Sequence, residues 1–477
     1  MNTLENIIRK FEIFSAFYSV SYVLIYLVLA LLSYLAIKNY YNSKYYLHKD
    51  VLIKSNHTLG VSVIAPAYNE AATIVYNVKS LLSQDYPKFE IIIINDGSTD
   101  DTLQKLINEF SLVKVDFFYQ EKIKTQPVKC HYKSSNPVYA KLLVIDKENG
   151  KSKADASNAG INSAKYSLFI CTDVDCILRK DTIVMLTKPF IENTRKVIAT
   201  GAAIRISNSC EFKDGMLYKS HYPNKFFARF QELEYIRSFL FGRMAWSKTN
   251  CLLLVSGGLG MFDKQTVIDA GGYWHQSLGE DMELITRMRK LMHERKEDFL
   301  IKYIPESLCW TEVPSDKTVF LRQRVRWARG LVQTLYLHKK MFLNPKYGKT
   351  GLIIMPHYFL FEFFVPILEV LGLIVLALDI IFFTVNYEFL LIVSVFIYFF
   401  YTAITLISIY LDQFLYKQYA NISELSTLIL MVFLEPFLYH PINVYASLKG
   451  YIHFLTNKEK KWGTMTRQGF VNVKEQL

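Results

Sequence analysis

Cysteine is scarce in this sequence, with six residues among 477, and the six show neither a CxxC pair nor the cysteine and histidine spacing of a metal site. We therefore expect reduced cysteines in the core of a cytosolic domain. Internal repeats and low-complexity tracts are also absent. Residues 55 to about 330 contain no long apolar run and alternate between strand-like and helix-like patterns, which predicts a soluble domain.

Apolar segments long enough to span a membrane lie on both sides of this domain. The first, Phe17 to Ile37, is followed by no small-residue cleavage site, which predicts a retained anchor. More basic residues follow this segment than precede it, so the positive-inside rule places residue 38 onward in the cytosol. The later apolar segments are Met355 to Phe383, Phe389 to Leu411 and Leu425 to about Leu455.

The last apolar segment leaves the number of membrane crossings open. A single crossing would place the tail of the chain outside, but the basic residues of the tail favour the inside. A helical hairpin broken near Tyr439-His440-Pro441, or an interfacial or re-entrant segment, would keep the tail in the cytosol. We expect a cytosolic tail.

The formal net charge of +12 fits two classes of partner. One is nucleic acid, and the other is a basic cytoplasmic membrane surface that handles an anionic substrate. The apolar segments favour the second class, so no nucleic-acid partner is expected.

An apolar run from Ser167 to Thr172 ends in two carboxylates, Asp173 and Asp175. The run predicts a buried strand, and ligands of open α/β sheets collect at the carboxyl ends of strands. Two acids at this place cost desolvation energy unless something positive neutralises them. A divalent metal bound to a diphosphate would do so, because Mg²⁺ takes one or two carboxylates plus phosphate oxygens. The alternative is a helix cap or a turn.

Two earlier strands end in polar turns. Val61 to Ala67 runs into Tyr68-Asn69-Glu70, and Ile91 to Ile94 runs into Asn95-Asp96-Gly97-Ser98. Because strand, turn and helix follow one another twice, the pattern predicts a parallel sheet. Asp96 is either a turn acid or a carboxylate that accepts a nucleobase or ribose proton.

These strand ends resemble those of glycosyltransferase family 2 enzymes, which use the GT-A nucleotide-sugar fold. The Pro-Ala-Tyr-Asn-Glu turn and the Asn-Asp-Gly-Ser turn both match. The resemblance implies that the uridine is held by Ala67, Tyr68, Glu70 and Asp96. The family often has a second acid where this chain has Asn95, so only Asp96 is carried over.

A second resemblance concerns the segment around Lys153 and Asp155, which is similar to the Lys-Ala-x-Ala-x-Asn helix start of the family. A lysine near a helix N-terminus adds charge to a place that already favours phosphate. Solvated charges at a helix start are the alternative. The resemblance also implies that Asp173 and Asp175 bind Mg²⁺ or Mn²⁺, with Asp173 contacting the substrate as well.

The acceptor side is expected around Gly258, Glu280 and Asp281. Glycines in Ser256 to Phe262 would let the backbone approach a flat ligand, and in related polymerising enzymes this loop lies beside the acceptor sugar. A glycine turn before a strand is the alternative. Inverting transfer needs one base for the acceptor hydroxyl. The resemblance makes Asp281 that base, with Glu280 beside it, although acids also complement a helix dipole.

The segment from Gln323 to Trp327 matches the Gln-x-x-Arg-Trp motif of processive family 2 synthases. Gln323 and Trp327 share a helical face, and Trp327 can stack on a sugar. Arg324 or Arg326 can stabilise the leaving diphosphate. The alternative is a basic amphipathic helix on the membrane surface.

The tail contains Trp462-Gly463-Thr464-Met465-Thr466-Arg467. It resembles the Trp-Gly-Thr gating loop of hyaluronan and chitin synthases, which closes over the bound nucleotide from the cytosol. Met465 departs from the hyaluronan form. The resemblance implies substrate contacts for Trp462, Thr464 and Arg467, and the alternative is a disordered basic tail.

Three acids, Glu362, Glu369 and Asp379, lie in or near the first apolar segment after the domain. Acids in a span are costly and usually face a wet cavity, so Glu362 and Glu369 are expected to face a polymer channel or the domain interface. If the helix begins as an interfacial segment, Glu362 would instead lie among lipid headgroups.

Together these features predict an α/β GT-A domain inserted between the helices of a multi-pass plasma-membrane protein. The regions are an anchor (1–54), a cytosolic transferase domain (55–335), interfacial and transmembrane helices forming a channel (336–455), and a gating-like tail (456–477). The predicted activity is processive, inverting polymerisation of UDP-glucose or UDP-N-acetylglucosamine, with export of the polysaccharide and a possible accessory export protein. The alternatives are a transferase that loads one sugar onto a lipid carrier and a catalytically dead membrane scaffold.

Overall fold

The computed structural model describes residues 2–43, 58–213, 216–382, 387–417, 419, 421–457 and 471–472. The α-helices are α1 (Asn2–Ser43), α2 (Ile74–Leu82), α3 (Thr102–Phe110), α4 (Lys153–Ser163), α5 (Thr182–Glu192), α6 (Phe226–Ile236), α7 (Met244–Lys248), α8 (Lys264–Asp269), α9 (Glu280–Arg295), α10 (Lys317–Leu337), α11 (Met355–His357), α12 (Val365–Phe382), α13 (Tyr387–Tyr416), α14 (Ile422–Leu438) and α15 (His440–Leu455). The π-helical segments are Arg237–Arg243, Thr350–Ile354 and Tyr358–Phe363.

Strands form two sheets. The strands are β1 (Val61–Ala67), β2 (Phe89–Asp96), β3 (Leu112–Val115), β4 (Val128–Ser134), β5 (Leu142–Lys147), β6 (Leu168–Thr172), β7 (Ile177–Leu178), β8 (Lys196–Ile206), β9 (Glu211–Lys213), β10 (Met216–Lys219), β11 (Leu259–Asp263), β12 (Phe299–Thr311) and β13 (Val471–Asn472). The ten-stranded sheet has the order β3-β4-β5-β2-β1-β6-β11-β8-β12-β7, and the smaller sheet has the order β10-β9-β13.

The centre of the large sheet is parallel, as the repeated strand, turn and helix pattern predicts. β1 lies between β2 and β6, and β2 pairs in parallel with β5. Every residue of β2 is buried, which explains its continuous isoleucine run, because a strand covered on both faces has no solvent side. The carboxyl ends of β1, β2, β5 and β6 therefore meet at one edge of the sheet.

The turn after β1 is longer than the sequence pattern predicts. The pattern predicts a helix from Ala71, but α2 begins at Ile74. The amides of Glu70 and Ala71 donate to Thr102 and Asp100 of the neighbouring turn. Side chains from another loop therefore satisfy the amides that a helix start would leave free, and the helix begins one turn later.

Within the described residues, three helical stretches are long and apolar enough to cross a membrane: Glu5–Asn42, Thr350–Phe382 and Leu390–Tyr416. They coincide with the three predicted single spans. The last apolar block forms α14 and α15, which meet at a bend of 47° and together would make either a broken span or a re-entrant loop. A bend of this size differs from the tight hairpin considered for this block.

The bent helix pair α14 and α15 contacts the sheet domain along its length. Glu424 at the start of α14 lies 3.2 Å from His221, and Tyr439 at the bend donates to Glu234. Near the end of α15, a side chain at Gly450 would come within 2.7 Å of the Val325 carbonyl oxygen. The pair therefore lies against the domain from beginning to end.

Buried ion pairs tie the apolar helices to the domain. Arg205 of β8 pairs with Asp412 of α13 and lies 3.5 Å from Glu232 of α6. Arg237 makes two hydrogen bonds with Glu435 of α14. A charge in such a place is stable only with its partner, so these pairs fix the domain against the helices in one register.

Candidate active site

Four polypeptide segments converge on Lys153, the first residue of α4. Its ammonium group lies 2.5 Å from Asp173, beyond the end of β6, and donates to the carbonyl of Gly257 at 2.7 Å. The Gly257 amide in turn donates to Asp281 at 3.1 Å, in the first turn of α9. Gly257 thus contacts the acid at the start of α9 directly and the acid after β6 by way of Lys153.

Position 257 carries no side chain, and a β-carbon there would make ordinary van der Waals contacts with the neighbouring charged groups. A β-carbon there would lie 3.4 Å from the Lys153 ammonium nitrogen, 3.7 Å from Asp281 and 3.8 Å from Glu280. At the next residue, Gly258, a β-carbon would lie 3.7 Å from Asp173, the acid after β6. The loop therefore places backbone, not side chains, between the two groups of acids.

The electrostatics of this cluster favour a charged lysine and a carboxyl that resists ionisation. Burial lowers the pKa of Lys153, but the charge and hydrogen bond of Asp173, together with Cys171 and Glu280, raise it overall. Burial, and then the charge of Asp281, raise the pKa of Glu280, while Arg326 and Lys153 oppose the rise. Glu280 Oε2 is buried and has no hydrogen-bond partner among the described residues. Glu280 is thus held in surroundings that disfavour its charged form.

Asp173, Asp175 and Cys176 form a group that could hold a metal ion, with ligand atoms within 4.8 Å of one another. Two carboxylates suit a hard divalent cation such as Mg²⁺ or Mn²⁺, which completes its coordination with water or phosphate oxygens. The Asp173 side chain is 40% exposed, so a ligand can reach it. The donor set and its accessibility fit the predicted ion.

A second acidic pair surrounds Lys147, the last residue of β5. Strand register sets Asp96 of β2 directly opposite Lys147. The lysine ammonium, which is fully buried, lies 2.7 Å from Asp96 and 2.6 Å from Asp155. Burial raises the pKa of Asp96, although hydrogen bonds from Lys147 and the Gly150 amide oppose the rise. Asp96 and Asp155 are therefore held rigidly beside the N-terminus of α4.

The remaining predicted nucleoside residues follow β1. Ala67 is buried at the end of the strand, whereas Tyr68 is 48% exposed and Glu70 is half-buried. Because β1 lies between β2 and β6, these residues stand between the Lys147 cluster and Asp173. Their predicted role in nucleoside binding stays a prediction.

The predicted motif helix α10 sends its two arginines in different directions. Arg326 donates to the Leu278 carbonyl at 3.0 Å, next to Glu280. Arg324 is buried instead against Glu234 and Tyr439, with Trp327 on its guanidinium face. Arg324 thus lies in the contact with α6 and the bent helix pair, away from Asp173, whereas Arg326 approaches the acids.

Trp327 keeps 37% of its surface exposed, as a stacking platform requires. The side-chain oxygen of Gln323 is buried and has no hydrogen-bond partner in the described part of the chain. Residues Trp462, Thr464 and Arg467 lie outside the described residues.

Two residues that take part in the site carry no motif in the sequence. Lys147 is one, since only sheet order brings it to Asp96, and Gln333, described below, is the other.

Two family models match this chain. Residues 62–121 match "Glycosyl transferase family 2", and residues 135–330 match "Glycosyltransferase like family 2". Together the two matches cover more than half of the chain and include the acids after β2 and β6 and at the start of α9. The chain belongs to glycosyltransferase family 2.

The family 2 chain has curated relatives among poly-β-1,6-N-acetyl-D-glucosamine synthases. It is 30% identical to that of Staphylococcus epidermidis over 286 residues, which cover 59% of this chain and 58% of the relative. It is 29% identical to that of Staphylococcus aureus over 292 residues, 60% of this chain and 58% of the relative. The chain thus spans somewhat more than half the length of these relatives.

Among solved structures, the family 2 chain is similar to the mannosyltransferase PcManGT of Pyrobaculum calidifontis, solved with GDP-Man and Mn²⁺. The TM-score is 0.55 at 17% identity, and the similarity covers 90% of this chain and 100% of the other. This similarity confirms the predicted GT-A-like fold with its mixed sheet.

Proposed function

We propose that this chain is a membrane-embedded, processive, inverting β-glycosyltransferase that extends a polysaccharide from a UDP-sugar. One observation carries the proposal: Gly257 donates to Asp281 through its amide and accepts from Lys153 through its carbonyl. The proposed base for the acceptor hydroxyl therefore lies next to Lys153 and the proposed metal ligands, which would bind the diphosphate. A single inverting displacement needs these two groups on opposite sides of one donor sugar ring.

In the proposed reaction, Asp281 accepts the proton of the acceptor hydroxyl while the hydroxyl oxygen attacks the anomeric carbon of the donor. The bond from that carbon to the diphosphate oxygen breaks, and its electron pair leaves with UDP. Lys153 donates to the departing diphosphate and stabilises its developing charge. A divalent cation held by Asp173 and Asp175 would neutralise further diphosphate charge. A single displacement inverts the anomeric configuration.

The names of the two staphylococcal relatives support N-acetylglucosamine as the transferred sugar, in preference to glucose. Trp327, exposed at the end of the Gln-x-x-Arg-Trp motif, is the proposed platform for the acceptor ring. We propose that Arg326 and Gly258 contact the substrate, as the sequence predicts. For Arg324 we propose a structural role, because its guanidinium is buried and paired with Glu234.

We also propose that the polymer leaves through a cleft between the apolar helices. Glu362 is exposed, yet it lies within electrostatic range of Tyr18 and Tyr26 of α1 and of Glu234 of α6. Tyr358 lies within range of both Glu362 and Asp281. An accessible carboxylate among side chains of several elements favours a wet cleft that begins near the proposed base.

In the proposed topology, the chain lies in the plasma membrane and its transferase domain lies in the cytosol. Strand β13 of the tail pairs with β9 of the domain, so the tail returns to the side of the domain. With α12 and α13 as two crossings, the bent helix pair must enter and leave on that same side. Its contacts with the domain along both helices support a re-entrant or interfacial arrangement.

The activity is tested with the purified full-length chain, a panel of radiolabelled UDP-sugars and linkage-specific hydrolases. We expect UDP release and a long polymer from UDP-N-acetylglucosamine with Mg²⁺ or Mn²⁺, and neither with excess EDTA. A product of one added sugar on a lipid would support the lipid-carrier alternative. Absence of turnover on every common UDP-sugar would support the inactive scaffold and contradict the proposal.

The cleft is tested by replacing Glu362 with leucine. We expect shorter polymer and lower polymer output, with UDP-sugar hydrolysis at the wild-type rate, because the change affects the path of the product and not the base. Glu388→Gln, at an exposed acid in the first turn of α13, is the matched control. Wild-type polymer length in the Glu362→Leu variant would count against the cleft.

A further inference from the structure

The helix that carries Asp281 begins without a cap of its own. The N-cap residue of α9 is Gly279, which has no side chain to cap the helix, although Asp281 in the first turn accepts from the Met282 amide at 2.8 Å. Asp281 is the second residue of the helix, so its position depends on the loop Gln276–Gly279 that leads into it. A helix start of this kind needs partners from elsewhere for the peptide groups of the loop.

Side chains of α10 supply those partners. Gln333 donates to the Gln276 carbonyl at 3.0 Å and accepts from the Leu278 amide at 3.2 Å. Arg326 donates to the Leu278 carbonyl at 3.0 Å. Positions 326, 330 and 333 follow the spacing of one helical face, and the middle position is Gly330.

Gly330 lets the two backbones touch. A β-carbon at this position would lie 2.7 Å from the Gly279 amide nitrogen and 2.9 Å from its α-carbon. Neither atom belongs to a flexible side chain, so the start of α9 would have to shift. The face of α10 formed by Arg326, Gly330 and Gln333 is therefore a template for the loop.

The rest of α10 is held in place. Arg324 pairs with Glu234 of α6, and α15 packs so closely that a β-carbon at Gly450 would lie 2.7 Å from the Val325 carbonyl oxygen. Gln333 itself is buried. α10 is consequently a fixed support, and a change in its template face is passed to the loop and not absorbed by movement of α10.

We propose that Gln333 is a positioning residue for Asp281, acting through the loop Gln276–Gly279. The inference rests on the proposed function, in which Asp281 is the base. The side-chain amide of Gln333 supplies one donor and one acceptor to successive peptide groups, a pattern that few other side chains can reproduce. Its action falls on the chemical step, because the donor-binding residues other than Arg326 lie on α4 and at the ends of β1, β2 and β6.

The test is Gln333→Leu in the full-length protein, which removes both hydrogen bonds and leaves an apolar side chain that is one atom shorter. We expect kcat to fall about 10- to 100-fold, because misplacement of a catalytic group by about 1 Å has effects of this size. The KM for the UDP-sugar and the Kd for UDP should stay within about twofold. Gln333→Glu, which keeps the acceptor for the Leu278 amide, should retain an intermediate kcat.

Thr334→Val is the matched control, because Thr334 is buried beside Gln333 but bonds only to the Gly330 carbonyl of its own helix among the contacts described. Its kcat should equal that of the wild type. Amide exchange in residues 274–284 should accelerate in Gln333→Leu and not in Thr334→Val.

Unchanged exchange in Gln333→Leu would overturn the inference even if no transfer activity were found for the wild type. A wild-type kcat in Gln333→Leu, or a loss of UDP affinity equal to the loss of kcat, would also overturn it while leaving the proposed function intact. An inactive wild type would instead contradict the proposed function. The two failures are thus distinguishable.

Discussion

Replacing Asp281 with asparagine is expected to reduce kcat by about 10²- to 10⁴-fold, the usual contribution of a positioned general base. Asparagine keeps an oxygen that can accept from the Gly257 amide, so the loop should stay in place. It cannot take the proton of an acceptor hydroxyl. The UDP Kd should therefore remain within about twofold of the wild type, and the loss should appear in polymer formation measured with radiolabelled donor.

Asp298→Asn is the matched control for this substitution, because Asp298 is exposed and pairs with Arg195 at the far end of the domain. It should keep wild-type kcat. If Asp281→Asn retained more than about half of the wild-type kcat, the base would have to be another group, and the adjoining Glu280 would be the first to examine.

The second large effect is expected from replacing Lys147 with methionine. Lys147 is fully buried between Asp96 and Asp155, whose side chains are 8% and 10% exposed. Methionine fills a similar volume but leaves two carboxylates without their counter-charge. Removing one partner of a buried pair typically costs about 3–5 kcal/mol, so we expect a clear fall in the apparent melting temperature. The same change should weaken UDP binding.

Lys165→Met provides the comparison. Its side chain is 59% exposed and lies 3.8 Å from Glu90, and exposed pairs of this kind contribute about 0–1 kcal/mol. Both variants are compared with the wild type by thermal unfolding in the same detergent. A melting temperature for Lys147→Met equal to that of Lys165→Met would show that the two acids are neutralised in another way.

Much of the site could be predicted because its residues stand at strand ends. Asp96 and Asp173 each follow a run of apolar residues, and parallel strands bring such ends to one edge. Asp281 could be placed only through family resemblance, since nothing in its local pattern separates a base from an acid that complements a helix dipole. In the structure, Gly257 joins these acids, because its amide donates to Asp281 and its carbonyl accepts from Lys153, the partner of Asp173.

The two arginines of the motif helix illustrate what the pattern could not decide. Arg324 and Arg326 are two residues apart, so they point to nearly opposite sides of α10, and either could have faced the diphosphate. The structure directs Arg326 to the loop before α9 and buries Arg324 against Glu234. The choice depends on which side of α10 meets α9, and that is a property of packing.

The sequence by itself determined the apolar spans, the parallel sheet and the chemistry at its edge, because these follow from periodicity and residue type over short distances. Only the tertiary structure decided which groups are partners. Lys147 lies opposite Asp96, Gln333 bonds to the loop before Asp281, and the bent helix pair packs along the domain. Those contacts join residues far apart in the chain, and local patterns do not specify sheet order or helix faces.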